Sequence, residues 1–143
     1  METNCELLKT DKMASIFTKI VQGEIPCHKI AEDDKYLAFL DISPLAKGHT
    51  LVIPKQEVDY IFDLEDDVLA GLNVFAKKIA KAIDKSVECK RVGVAVIGLE
   101  VPHTHIHLVP LNNIGDLNFE NPKLSPSQEE LTEVAEAIRK NLE

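Results

Sequence analysis

The chain has 143 residues and a formal net charge of −8, with 45% hydrophobic and 28% charged residues. That composition supports one globular domain with its own core and excludes disorder of the whole chain. No apolar run approaches the ~18 residues of a membrane span, and the acidic balance gives no general attraction for nucleic acid.

Residues 1–14 mix charge and polarity without a period, which predicts a weakly ordered N-terminal extension before a single domain at 15–143. Met13 is a candidate internal start. Cys5, Cys27 and Cys89 are widely spaced and form neither a disulfide framework nor a CxxC pair. With no apolar stretch after a basic one near the N-terminus, the reading is a cytoplasmic protein with reduced thiols.

Ser15 is placed to cap a short helix over Ile16–Gln22, stopped by Gly23. Residues 27–32 are extended after Pro26. Lys35–Asp41 and His49–Ile53 read as strands joined by the turn residues Ser43-Pro44 and Lys47-Gly48, which predicts an antiparallel hairpin. From Leu64 to Lys85 the period becomes helical, with Val68, Leu69, Leu72, Phe75, Ala76, Ile79 and Ile83 on one stripe. Asp63 is its expected N-cap. Asp66 and Asp67 at the start, and lysines toward the end, suit the helix dipole. Arg91–Ile97 and Thr104–Leu111 read as further strands, and residues 112–124 as a loop. Ser125-Pro126-Ser127-Gln128 predicts a capping box with proline at the first helical position, opening a C-terminal helix. The order helix, strands, helix, strands, helix predicts an α+β domain with a mostly antiparallel sheet.

Three of the five histidines stand at 103, 105 and 107. On a strand, alternate residues share a face, so these imidazoles point one way and Thr104, Ile106 and Leu108 the other. Charging one imidazole disfavours charging its neighbour, which separates their pKa values. The residues alone leave three readings open. One is a metal site, with His49 as a further ligand. The second is phosphoryl or nucleotidyl transfer through a phosphohistidine. The third is a solvent-facing edge with no chemistry.

The run His103-Thr-His-Ile-His-Leu-Val-Pro110 resembles the alternating signature of the histidine triad (HIT) family. Ser15–Ile20, Gly23–Pro26, Phe39–Pro44 and Gly48–Lys55 resemble further segments of that family in the same order, and the Hint-like branch is the nearest in pattern. The resemblance implies an α+β protomer with a long central helix, forming a homodimer with sheets joined across a twofold axis. It implies a hydrolase for purine nucleoside monophosphate amidates and esters. His105 would attack phosphorus to form a nucleotidyl-histidine. His107 would interact with the phosphate and leaving group, while His103 and His49 hold the hydrogen-bonding state of the nucleophile's surroundings. By the same similarity Asp41 binds the ribose hydroxyls, and Ile16, Phe17, Leu40 and Ile42 line the base pocket. Read alone, Asp41 has an alternative as a turn former, the four apolar residues as core and His49 as a surface residue, and His28, Lys47 and Lys55 are surface.

Two departures stand out. The Val96–Pro102 segment is shorter than the polar loop that contacts phosphate in many members of the family it resembles, with Ile97 and Glu100 at positions where Asn and Ser or Thr are expected. The CxxC and later His that hold a structural zinc in some members are Ser15, Thr18 and Glu57 here. The expectation is therefore no metal and no cofactor. The rival to the hydrolase is a nucleotide-binding regulatory module with little turnover.

Overall fold

The computed structural model describes residues 14–142, so the expected extension lies outside the described residues except for Ala14. Ser15 caps α1 (Ile16–Val21), its Oγ accepting the Thr18 amide proton at 3.0 Å. The helix stops one residue before Gln22, and Gly23 follows at φ +82°, a conformation that favours glycine.

Four short segments and the strand carrying His107 build one antiparallel sheet. They are β1 (Lys29–Glu32), β2 (Tyr36–Leu40), β3 (Thr50–Pro54), β4 (Arg91–Ala95) and β5 (Ile106–Leu111), in the order β1-β2-β3-β5-β4. The expected hairpin is β2–β3, with Phe39 opposite Leu51. β5 starts two residues later than the sequence pattern suggests. The Thr104 amide donates to the Val58 carbonyl at 2.7 Å and the His103 amide to Val101 at 2.8 Å, so neither joins the ladder. β4 likewise ends at Ala95 instead of Ile97.

Alternation along the strands divides the core in two. Ala38, Leu40, Val52, Ile106 and Leu108 face α2 (Asp66–Ser86) and α3 (Gln128–Lys140). Leu37, Phe39, Leu51 and Ile53 face Phe17 of α1. The α2 stripe buries Leu72, Phe75, Ala76, Ile79 and Ile83 as its period predicts. Burying each large apolar side chain contributes roughly 1.5–3 kcal/mol, so this face holds much of the fold.

The helix starts differ from expectation in detail. Glu65, not Asp63, is the N-cap of α2, and it makes no side-chain cap bond. Asp63 instead closes a 3₁₀ turn, Ile61–Asp63. In α3 the capping box is Ser127 with Glu130, and Pro126 lies outside the helix. Among the described residues no helix is long and apolar enough to cross a membrane.

α2 crosses β2 at Gly71. The Tyr36 hydroxyl donates to the Val68 carbonyl at 2.9 Å, and a Cβ on Gly71 would stand 2.1 Å from that hydroxyl oxygen. Gly71→Ala is expected to lower stability by about 1–3 kcal/mol in urea denaturation despite alanine's better helix propensity, because overpacking outweighs propensity here. An unchanged or raised midpoint would refute this account of the crossing.

Candidate active site

The histidines gather on the α1 face of the sheet. His107 lies on β5 opposite Leu51, whose side chain belongs to that face. His103 and His105 precede β5, and His49 precedes β3. All four are buried. The His105 and His107 rings are 4.9 Å apart between centroids, and His49 and His107 are 5.2 Å apart.

Hydrogen-bond partners fix the proton on each neutral ring, because backbone groups play only one role. His103 Nε2 lies 2.8 Å from the Pro54 carbonyl, so it carries the proton and donates. His103 Nδ1 then accepts from the Ser15 hydroxyl at 2.8 Å. His105 Nδ1 donates to the His103 carbonyl at 2.7 Å, which leaves the lone pair on Nε2. The Leu45 amide donates to His49 Nδ1 at 3.0 Å, so His49 Nε2 carries the proton. That proton is donated to His107 Nδ1 at 3.0 Å, and His107 Nε2–H remains as a donor. Among the described residues no buried side-chain polar atom lacks a partner. The Nε2 atoms of His105 and His107, which have no internal partner, therefore open to solvent. The site presents one nucleophilic lone pair and one N–H side by side.

Burial favours the neutral form of His49, His103 and His107. It lowers His49 to about 4, with the Lys123 charge adding to the effect. It lowers His107 to about 3, with His105 and His49 adding. Burial also lowers His103, against the Pro54 carbonyl and the Glu57 charge. His49 Nε2 is 3.7 Å from Asp41 Oδ2, but a neutral imidazole makes no ion pair there. Burial raises the Asp41 carboxyl, while the Ser43 amide, donating to Oδ1 at 2.9 Å, works the other way. Asp41 thus is a turn former and keeps Oδ2 toward His49.

The structure brings His49, His103, His105, His107, Asp41 and Phe17 together. The Phe17 ring meets those of His105 at 5.0 Å and His103 at 5.9 Å. Ile16 and Ile42 are exposed, at 49% and 64%. Leu40 is separated from the group: it is buried on the α2 side of the sheet. Phe39, edge-on to Phe17 at 5.5 Å, occupies the histidine side instead. The alternation Leu37, Phe39, Asp41 carried that signal in the sequence.

Other neighbours had no local signal. Glu57 accepts from the Ser15 amide at 2.7 Å and the Thr18 hydroxyl at 2.5 Å. Burial opposes its charge, but these bonds hold its carboxyl below the usual range. Ser15, Thr18 and Glu57 thus surround His103 with a hydrogen-bonded cluster, at the positions compared above with zinc ligands. Phe119, from the loop after β5, packs its ring 4.5 Å from His107 and 6.2 Å from His49. Glu100 acts on Asp41 through its charge. A cavity of about 550 Å³ lies between α3 and the β2–β3 turn and includes Asp41 and His49 in its lining but not the triad.

Asp41, His49 and His107 are the one group among the described residues with metal-ligand spacing, their ligand atoms lying within 4.8 Å of one another. The set differs from the one weighed on sequence, which joined the triad to His49. The Leu45–His49–His107 hydrogen bonds already satisfy the inner ring nitrogens, so this cluster is complete without an ion.

A five-stranded antiparallel sheet, a long helix on one face and a histidine cluster on the other define an α+β fold with a histidine-lined site. The HIT domain model matches residues 22–114, and the chain belongs to the HIT family. It is 38% identical over 128 residues to adenosine 5′-monophosphoramidase of Schizosaccharomyces pombe, covering 88% of this chain and 96% of that one. A HIT-like protein involved in cell-cycle regulation from Bartonella henselae superposes with a TM-score of 0.79 at 33% identity, over 90% and 97% of the two chains. A zinc-bound histidine triad protein from Mycobacterium smegmatis gives 0.77 at 31% identity, over 90% and 93%.

The buried neutral imidazoles make stability pH-dependent. Unfolded histidines take up protons near their usual pKa of about 6.5, whereas His49 and His107 stay neutral in the fold down to about 4 and about 3. Unfolding therefore binds protons, and their stabilisation, complete above pH ~6.5, is lost as pH falls toward those values. Asp41, with its raised carboxyl, opposes the trend in part. The urea midpoint is expected to fall between about pH 7.5 and about pH 5, and to fall less in His49→Gln. Equal midpoints at both pH values would contradict the neutral burial of His49 and His107.

Proposed function

We propose that this chain hydrolyses purine nucleoside monophosphate amidates through a nucleotidyl-histidine intermediate. The observation that carries the reading is the paired bond set around His105 and His107. It leaves a lone pair on His105 Nε2 beside a proton on His107 Nε2. Membership of the HIT family and similarity to a yeast adenosine 5′-monophosphoramidase support the substrate class.

In the first step His105 Nε2 attacks the α-phosphorus. The phosphorus–nitrogen bond of the amidate breaks, its electron pair goes to the nitrogen, and that nitrogen takes a proton from solvent and leaves as neutral amine. The His105 ring becomes cationic, which strengthens its Nδ1–H bond to the His103 carbonyl. His107 Nε2–H donates to a phosphoryl oxygen. It acts as a hydrogen-bond donor, since a neutral imidazole that lost this proton would be an anion. In the second step water attacks phosphorus, the phosphorus–His105 bond breaks, and the pair returns to Nε2. The water proton passes to solvent and the nucleoside monophosphate leaves. Asp41 Oδ2 accepts from the ribose hydroxyls, and Phe17, Phe39, Ile16 and Ile42 bound the base. Leu40 plays no direct part in this reading.

The functional unit in this reading is a homodimer. β4 is an edge strand, with β5 as its neighbour. Val92 packs on the main core, so Val94, two residues on, faces the same side, where it is 60% exposed. Val74 of α2 is also exposed, at 67%. An unpaired strand edge and apolar side chains suit pairing with a second copy.

Two measurements test these readings. Wild-type protein with chelator present should turn over adenosine 5′-monophosphoramidate, while His105→Ala should lose at least about a thousandfold in kcat, as expected when a nucleophile is removed. Binding of AMP without turnover by wild type would instead favour a regulatory nucleotide-binding module. Light scattering should give a dimer for wild type and a monomer for Val94→Glu, and a monomeric wild type would remove the dimer from the proposal.

A further inference from the structure

Given that reading, the site lacks an evident cation for an anionic substrate. His49 and His107 are neutral, Asp41 is a carboxylate beside them, and Glu100 adds negative charge. The segment expected to hold phosphate, Ile97–Pro102, brings no cationic side chain. Ile97 is exposed, a Cβ on Gly98 would meet nothing within 4 Å, and Val101 packs into the α1-side core.

The loop after β5 brings a cation to this place. Its base is tied by the Asp116 carboxylate, which accepts the Asn112 and Asn113 amides at 2.8 Å each. Its far end is tied by the Leu124 amide, which donates to the Pro44 carbonyl at 2.9 Å, three residues from Asp41. Between these ties Phe119 lies on His107. The Lys123 ammonium donates to the Phe119 carbonyl and to the Asn121 carbonyl at 3.1 Å. Its charge reaches both Asp41 and His49. An ammonium has three donors, and two are spent on these carbonyls.

We infer that Lys123 is a specificity-determining residue that donates its third N–H to a nonbridging oxygen of the nucleotide's phosphate. The loop thereby supplies the charge that the Ile97–Pro102 segment does not. Phe119 keeps water from the far side of His107 and fixes the height of the ammonium above it. The residue selects for the phosphate and has no part in base or ribose recognition.

Calorimetry with AMP and adenosine on the intact protein tests this. Lys123→Met should weaken AMP about tenfold, the range of one charge-assisted hydrogen bond, and leave adenosine within about twofold. AMP affinity should also become less sensitive to salt, and Lys123→Arg should recover most of it. If Lys123 merely pinned the loop, both ligands would weaken together and their ratio would hold, which would overturn the inference. If wild type binds AMP but turns nothing over, the hydrolase reading fails while the AMP-to-adenosine ratio still decides the role of Lys123. If wild type binds neither ligand, both fall.

Discussion

Three of the four clustered histidines commit one ring nitrogen to a partner that has a single hydrogen-bonding role. Pro54 and His103 offer carbonyls that only accept, and Leu45 offers an amide that only donates. His107 takes its orientation from His49 in turn. On a neutral ring these bonds decide which nitrogen holds a proton and which a lone pair. The rest of the site follows from that constraint. A charged ring among four so close would cost desolvation and repulsion together, so neutrality and direction come as one arrangement.

The sheet makes the arrangement possible by separating two tasks between its faces. The α2–α3 side carries the large apolar core, with Leu72, Ile79, Ile83 and Ile138 fully buried. The α1 side has a smaller cluster and leaves room for polar rings. Alternation along β5 then sends Ile106 and Leu108 into the main core and His107 to the other side. Phe17 joins the two tasks, packing on Phe39 while its ring meets His103 and His105. The Ser15–Thr18–Glu57 cluster anchors the start of the same helix against His103. Folding α1 onto the sheet and orienting the histidine triad are thus one packing event.

Leu40 and Phe39 show where reading by motif and reading by geometry part. Both lie beside Asp41, and both are apolar. A strand's two-residue period puts Phe39 and Asp41 on one side, and Leu40 on the other. Phe119 and Lys123 are a different case. They sit in a loop whose sequence has no periodicity, twelve or more residues beyond the triad. Their nearness to His107 and Asp41 depends on a chain path tied at Asp116 and Pro44, which local sequence does not encode.

The sequence by itself determined the order of elements, the α2 and α3 stripes, the β2–β3 hairpin and the histidine spacing. These depend on period and turn chemistry over short stretches, where neighbouring residues decide the outcome. The late start of β5, the tautomers of His103 and His107 and the neighbours Glu57, Phe119 and Lys123 were decided by the tertiary structure alone. Each depends on a contact between residues distant in the chain. Thr104 meets Val58, His103 meets Pro54 and Ser15, and Leu124 meets Pro44, and folding alone brings those partners within reach.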